Sequence, residues 1–163
     1  MSRVPFGRNY LDPRRANNCL DSCAFDPKYS PEHEAAKRIR SLGHEGIVQL
    51  NLAHSNQKEV DHPNTPECVK REATGMIYTI PTGLVPDEVT RKAKIHEILT
   101  GNGKPEKYAA DAAHVFEAGK YGGYFVTTDQ RILDKRAELN QICTATILTP
   151  TEWLKIFDES ADA

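Results

Sequence analysis

Short apolar runs alternate with longer amphipathic stretches along most of the chain. The runs inside "NNCLDSCAF", "GIVQLNLAH", "YFVTT" and "ATILTP" are apolar and partly β-branched without strict alternation, which predicts strands buried on both faces. Between them, "SPEHEAAKRIRSLG" predicts a helix with Ser30 as cap, Pro31 at its first position and Gly43 beyond its end. "VPDEVTRKAKIHEILTGNG" predicts another, stopped by Gly101 to Gly103. The clearest helix is "KPEKYAADAAHVFEAGKYGG", where Tyr108, Ala112, Val115, Phe116 and Gly119 share one face. "DQRILDKRAEL" predicts one further helix, and Thr149, Pro150 and Glu152 open the last one with a capping-box pattern. A helix is also expected to start at Ser55 and break at Pro63, with His62-Pro63 and Thr65-Pro66 as a kinked corner. "MIYTI" fits a short strand or an extended link.

This βα alternation predicts an α/β fold, a three-layer α/β/α arrangement around a central, mostly parallel sheet. The expected organisation is an irregular arm over 1–16, one domain over 17–158 and a short tail over 159–163. In such a sheet, ligands bind at the carboxyl ends of the strands. Asp21 ends the first strand and Asp129 follows "YFVTT", so both point to one rim. Glu59, four residues past Ser55, falls on the first turn of a helix that starts at that rim. Asp111 lies at the edge of the apolar face of the helix leading into "YFVTT". Asp129 alone reads simply as a helix cap. Four converging carboxylates are another matter, because they repel and raise one another's pKa. Divalent cations relieve that repulsion, and hard oxygen ligands suit Mg²⁺ or Mn²⁺. The chemistry implied is metal-assisted phosphodiester hydrolysis, which needs no His or Ser nucleophile.

The segments "CLDSCAF", "HSNQKEV", "AADAAHVFEAGKYGGYFVTTDQRIL" and "ILTPTEWL" occur in an order that resembles the successive motifs of PIN-domain nucleases. The resemblance runs from about Asn18 to Phe157 and is most specific in the second half, where an Asp-led, Ala-rich helix precedes a strand ending in Thr-Thr-Asp. It implies a PIN-like fold and a Mg²⁺- or Mn²⁺-dependent endoribonuclease, with Asp21, Glu59, Asp111 and Asp129 as catalytic metal ligands. Asp61 competes with Glu59 for its place. Ser22 and Thr128 match small hydroxyl residues beside the acids that hold waters or a phosphate, and Arg131 is a candidate for substrate phosphates. Cys23 stands where many relatives have Asn. The expected products carry a 5′-phosphate and a 3′-hydroxyl. The resemblance fits a toxin held by an antitoxin protein in an apolar groove, a stand-alone RNA-processing enzyme, and a homodimer of either. The rival from another class is a non-catalytic PIN-fold binding module that uses the acidic rim for a protein partner or a structural ion. A phosphotransfer receiver is disfavoured, since "VTTDQ" and "TILTP" lack the Lys it requires.

Composition changes this picture little. The 163 residues, 39% hydrophobic with a formal charge of −2, fit one globular domain without a global basic footprint. Cys19, Cys23, Cys68 and Cys143 form neither a CxxC pair nor a zinc pattern, as expected of reduced thiols. No signal core or membrane span is apparent, so a cytoplasmic location is expected. Among the remaining polar residues, Asp12 and Asp26 read as turn residues, His54 as structural and His114 as a neighbour of the site. Asp134 is expected to pair with Arg131, Lys135 or Arg136, and Trp153 to serve as core or an oligomer contact.

Overall fold

The computed structural model describes residues 10–21, 32–52, 63–65, 67, 70–71, 84–121 and 123–161. Four strands, β1 (Asn17–Leu20), β2 (Gln49–Leu52), β3 (Tyr124–Val126) and β4 (Thr146–Leu148), form one sheet in the order β2-β1-β3-β4. Every neighbouring pair is parallel. The helices are α1 (Glu32–His44), α2 (Pro86–Thr100), α3 (Ala109–Tyr121), α4 (Gln130–Asp134), α5 (Arg136–Ile142) and α6 (Pro150–Ala161). The chain is therefore α/β with an all-parallel sheet among the described residues, as the apolar runs predict. No described helix is long and apolar enough to cross a membrane.

Strand β3 reads as a continuous apolar run because both its faces are covered, whereas the edge strand β2 departs from the expected run and alternates, with Gln49 exposed, Asn51 half-buried and Leu50 and Leu52 buried. Side chains alternate across a strand, so Leu20, Leu50, Leu52, Tyr124, Val126 and Leu148 pack with Ile39 of α1 and Trp153 and Phe157 of α6. Cys19, Phe125 and Ile147 point the other way, into a second cluster with Ile95 of α2, Val115 and Phe116 of α3, and Leu139 of α5. Two cores on opposite faces of one sheet fit a three-layer arrangement.

Several boundaries differ from the sequence expectation, and most differences have local causes. Helix α1 runs through Gly43 to His44 and stops instead at Gly46, whose φ of 75° gives the left-handed turn of a Schellman motif. Its bonds are Gly46 N to Gly43 O at 3.1 Å and Ile47 N to Leu42 O at 3.0 Å. Gly43 is needed for another reason, since a Cβ there would lie 2.5 Å from Leu50 Cδ1 on β2. The single helix expected over "DQRILDKRAEL" is two, α4 and α5, separated at Lys135; that stretch contains no Gly or Pro, and its residue types give no local cause for the break. The expected helix from "KPEKY" begins as a 3-10 turn, Pro105–Lys107, before α3. Within the described part of the expected arm, Pro13–Arg15 forms a 3-10 turn that Asp12 caps through Arg14 N at 3.0 Å. Helix α6 continues to Ala161, into the expected tail, and opens with the predicted capping box: Thr149 N donates to Glu152 Oε1 at 2.9 Å and Glu152 N to Thr149 Oγ1 at 3.2 Å. The helix expected from Ser55, the Ser30-Pro31 cap and "MIYTI" lie outside the described residues.

Asn18 and Trp153 tie the amino end of the sheet together. The fully buried Asn18 donates from Nδ2 to the carbonyls of Pro13, Ala16 and Gln49 at 3.0, 3.1 and 3.0 Å. Its Oδ1 accepts from Trp153 Nε1 at 2.8 Å, and the Trp153 ring stacks on Phe157 with centroids 5.4 Å apart. Trp153 is core, with no exposed surface.

Candidate functional site

The strand order reverses direction at β1: the chain passes from β1 outward to β2, then returns across it to β3 and β4. The crevice outside the carboxyl ends of β1 and β3 is thus the topological switch point, where α/β sheets of this kind receive ligands. Asp21 and Thr127 stand there as partners. Because Leu20 is in register with Val126, the next residues, Asp21 and Thr127, come side by side. Asp21 N donates to Val126 O at 2.9 Å and Thr127 N to Leu148 O at 3.0 Å, carrying the ladder one step further. By the two-residue period, Asp21 follows Cys19 and Thr127 follows Phe125 onto the face covered by α3. That face is also where Asp111 arrives, in the first turn of α3.

The side chains form a connected network. Thr127 Oγ1 donates to Asp21 Oδ2 at 2.8 Å and accepts from Asp129 N at 3.0 Å, so its hydroxyl orientation is fixed from both sides. Asp129 Oδ1 caps α4 by accepting from Arg131 N at 3.0 Å. The capping reading of Asp129 is therefore correct, yet it uses mainly one oxygen. Asp129 Oδ2 lies 3.1 Å from Arg131 Nη2, and that same nitrogen is 3.2 Å from Asp111 Oδ2. Two carboxylate oxygens from different helices thus converge on one cationic nitrogen. The guanidinium lies 5.8 Å from the Tyr108 ring centre, within cation–π range.

Asp111 is the strained member. It is 7% exposed, and its Oδ2 accepts no hydrogen bond among the described residues. Burial, followed by the Asp129 charge, pushes its pKa up to about 6; Asp21 adds to the rise, while Arg131 and the buried His114 oppose it. A carboxylate held this far from its ordinary range, in a crevice, is the kind of group that functional sites contain.

Of the expected acids, Asp21, Asp111 and Asp129 gather at the switch point. Glu59, its competitor Asp61, and Ser22, Cys23, Asp26 and His54 lie outside the described residues. Thr128 is half-buried, but the hydroxyl that bonds Asp21 belongs to Thr127, which sequence reasoning missed. Part of the signal was present: counting by two from Phe125 puts Thr127, not Thr128, on the Phe125 face, and the register of β1 with β3 then sets it beside the acid. Tyr108, read only as part of an apolar face, also borders the site. Among the described residues, Asp134 is not held by a neighbouring cation as expected. It accepts from Gln130 Nε2 at 2.6 Å, because Arg131 turns to the acids and Arg136 makes a two-pronged pair with Glu152 at 2.6 and 3.1 Å.

Among the described residues, no three acidic, His or Cys side chains are gathered so as to hold a metal ion by themselves. The donor chemistry nevertheless fits a hard divalent cation: all three acids offer carboxylate oxygens, and two of these already share one positive centre. No protein-family model, curated protein or solved structure matches the chain.

Proposed function

We propose that the chain is a PIN-like ribonuclease that hydrolyses RNA phosphodiester bonds with Mg²⁺ or Mn²⁺. The observation that carries this reading is the convergence of Asp111 Oδ2 and Asp129 Oδ2 on one cationic nitrogen, 3.2 and 3.1 Å away, beside Asp21 at the switch point. Asp21, Asp111 and Asp129, with Glu59 from the sequence motif, would hold the cation, which supplies Lewis acidity and an activated water when bound. Thr127 holds the Asp21 carboxylate in one orientation, and the Asp129 cap fixes the start of α4, so ligand positions are set before substrate arrives. Arg131 can offer a planar, two-pronged donor to a phosphate. The expected products are a 5′-phosphate and a 3′-hydroxyl, and the setting is a toxin with its antitoxin or a stand-alone processing enzyme.

The test is cleavage of a labelled single-stranded RNA in Mn²⁺, Mg²⁺ or EDTA by the natural protein and by Asp21→Asn and Asp129→Asn. Metal-dependent cleavage that both substitutions abolish is the expected result. Cleavage that survives in EDTA or in both variants would sink the proposal. One observation favours the second reading, a non-catalytic module: Arg131 already supplies a positive charge to two of the acids. If no RNA is cut and metal leaves the melting temperature unchanged, that reading takes over.

A further inference from the structure

Arg131 stands in contact with the oxygens that a metal would use. Its Nη2 is 3.1 Å from Asp129 Oδ2 and 3.2 Å from Asp111 Oδ2, and its Nε is 3.3 Å from Asp129 Oδ1. A divalent ion of the Mg²⁺ type sits at about 2.0–2.1 Å from its ligands. A guanidinium nitrogen and such an ion cannot occupy the same point between two carboxylates. Nor can the guanidinium step aside by losing its proton, because it stays charged throughout the ordinary pH range. Like-charge repulsion adds to the steric conflict.

The geometry also shows how the conflict resolves. The Arg131 side chain is 46% exposed, whereas that of Asp111 is 10% exposed, so the arginine is the partner free to swing into solvent. Asp111 Oδ2 accepts no hydrogen bond among the described residues, so it is held to Arg131 by charge rather than by directed bonding. Resting on the proposed metal site, we infer that Arg131 is a tethered counter-ion that must leave Asp111 and Asp129 before a divalent cation binds. It keeps Asp111 and Asp129 charge-compensated in the metal-free protein and lowers the apparent metal affinity. A substrate phosphate, which suits the same planar fork, draws it away and so favours metal binding; linkage makes this coupling reciprocal.

Mn²⁺ titration by isothermal calorimetry on metal-free protein tests this with three proteins: the natural chain, Arg131→Gln and Lys107→Gln. Lys107 is the matched control, since its ammonium lies 5.9 Å from the same Tyr108 ring, against 5.8 Å for the Arg131 guanidinium. Arg131→Gln is expected to bind Mn²⁺ about tenfold more tightly, within the usual span of coupled sites. Lys107→Gln is expected to change affinity by less than about twofold, as a screened surface charge. Unchanged or weaker binding by Arg131→Gln overturns the counter-ion role, and so does an equal gain in Lys107→Gln, which would reduce the effect to net charge. Both of those outcomes leave the metal site standing. Absence of Mn²⁺ binding in the natural chain and in Arg131→Gln overturns the inference and the nuclease reading together. Near-ultraviolet circular dichroism checks that each variant keeps its packing.

Discussion

Asp111→Asn is expected to raise the melting temperature of the metal-free protein at about pH 8 and, on the proposed nuclease reading, to lower RNA cleavage about 10²-fold or more. The first effect follows from the direction in which the site moves the pKa. In the folded chain the carboxyl titrates at about 6, above its ordinary 3.8, so folding favours its neutral form. The stabilisation from that neutral form is complete below the ordinary pKa and fades as pH rises toward 6. Above that range the natural protein carries a buried, repelled carboxylate that Asn replaces with a neutral amide of similar shape. A rise from 3.8 to about 6, already net of the attraction of Arg131, corresponds to at most about 3 kcal/mol, and the imperfect match of an amide to a carboxyl site takes back part of it. A gain of about 2 kcal/mol, or roughly 4–8 °C for a chain of this size, is expected at about pH 8 and none at about pH 4. Thermal melts in EDTA at both pH values measure it, and a difference that does not vary with pH would refute the assignment. On the proposed reading, the activity loss exceeds the 10–100-fold typical of outer-shell partners because a proposed metal ligand itself is removed. A single amide is thus expected to make the fold stronger and the proposed activity weaker, as happens where a site stores electrostatic strain.

Trp153→Ala should cost about 4 kcal/mol of folding stability, the largest loss expected from one side chain here. The ring is fully buried between α6 and the sheet, stacks on Phe157 and satisfies Asn18 Oδ1. Truncation leaves both a cavity and an unpaired buried acceptor. Trp153→Phe separates the two, since it keeps most of the apolar volume and removes only the N–H; it should cost about 2 kcal/mol. Urea denaturation with linear extrapolation reads both values. Equal losses for Phe and Ala would mean that the hydrogen bond to Asn18, not the ring, carries the stability.

The parallel sheet was legible because a strand buried on both faces leaves an unbroken apolar run, as in Tyr124, Phe125 and Val126. The placement of Asp21 and Asp129 followed from the same pattern, since both close a strand and strand ends are set by where apolar residues stop. Asp111 was legible from its position on the helical wheel. What escaped depended on contacts between distant elements. Gly43 looks like a stop in sequence, but its role is set by Leu50 on β2, and the stop falls at Gly46. Thr127 became visible as the Asp21 partner only once register fixed Leu20 beside Val126. Arg131 was assigned to the substrate because its attraction to Asp111 joins two separate helices, and no local pattern carries that.

Helix α4 is five residues long, and Ile132 is its one buried side chain, whereas Asp21 continues a strand flanked on both sides by others. The two walls of the crevice therefore belong to regions of unequal resilience. Backbone amides around Asp21 should exchange with solvent only when the whole sheet opens, while those of α4 can exchange through local fraying. If the crevice receives the proposed substrate, its stiff β1 side is a fixed reference point and its yielding α4 side takes up differences in the size of the occupant. On the proposed reading, its tolerance for different occupants depends on how tightly Ile132, one turn past Asp129, is seated.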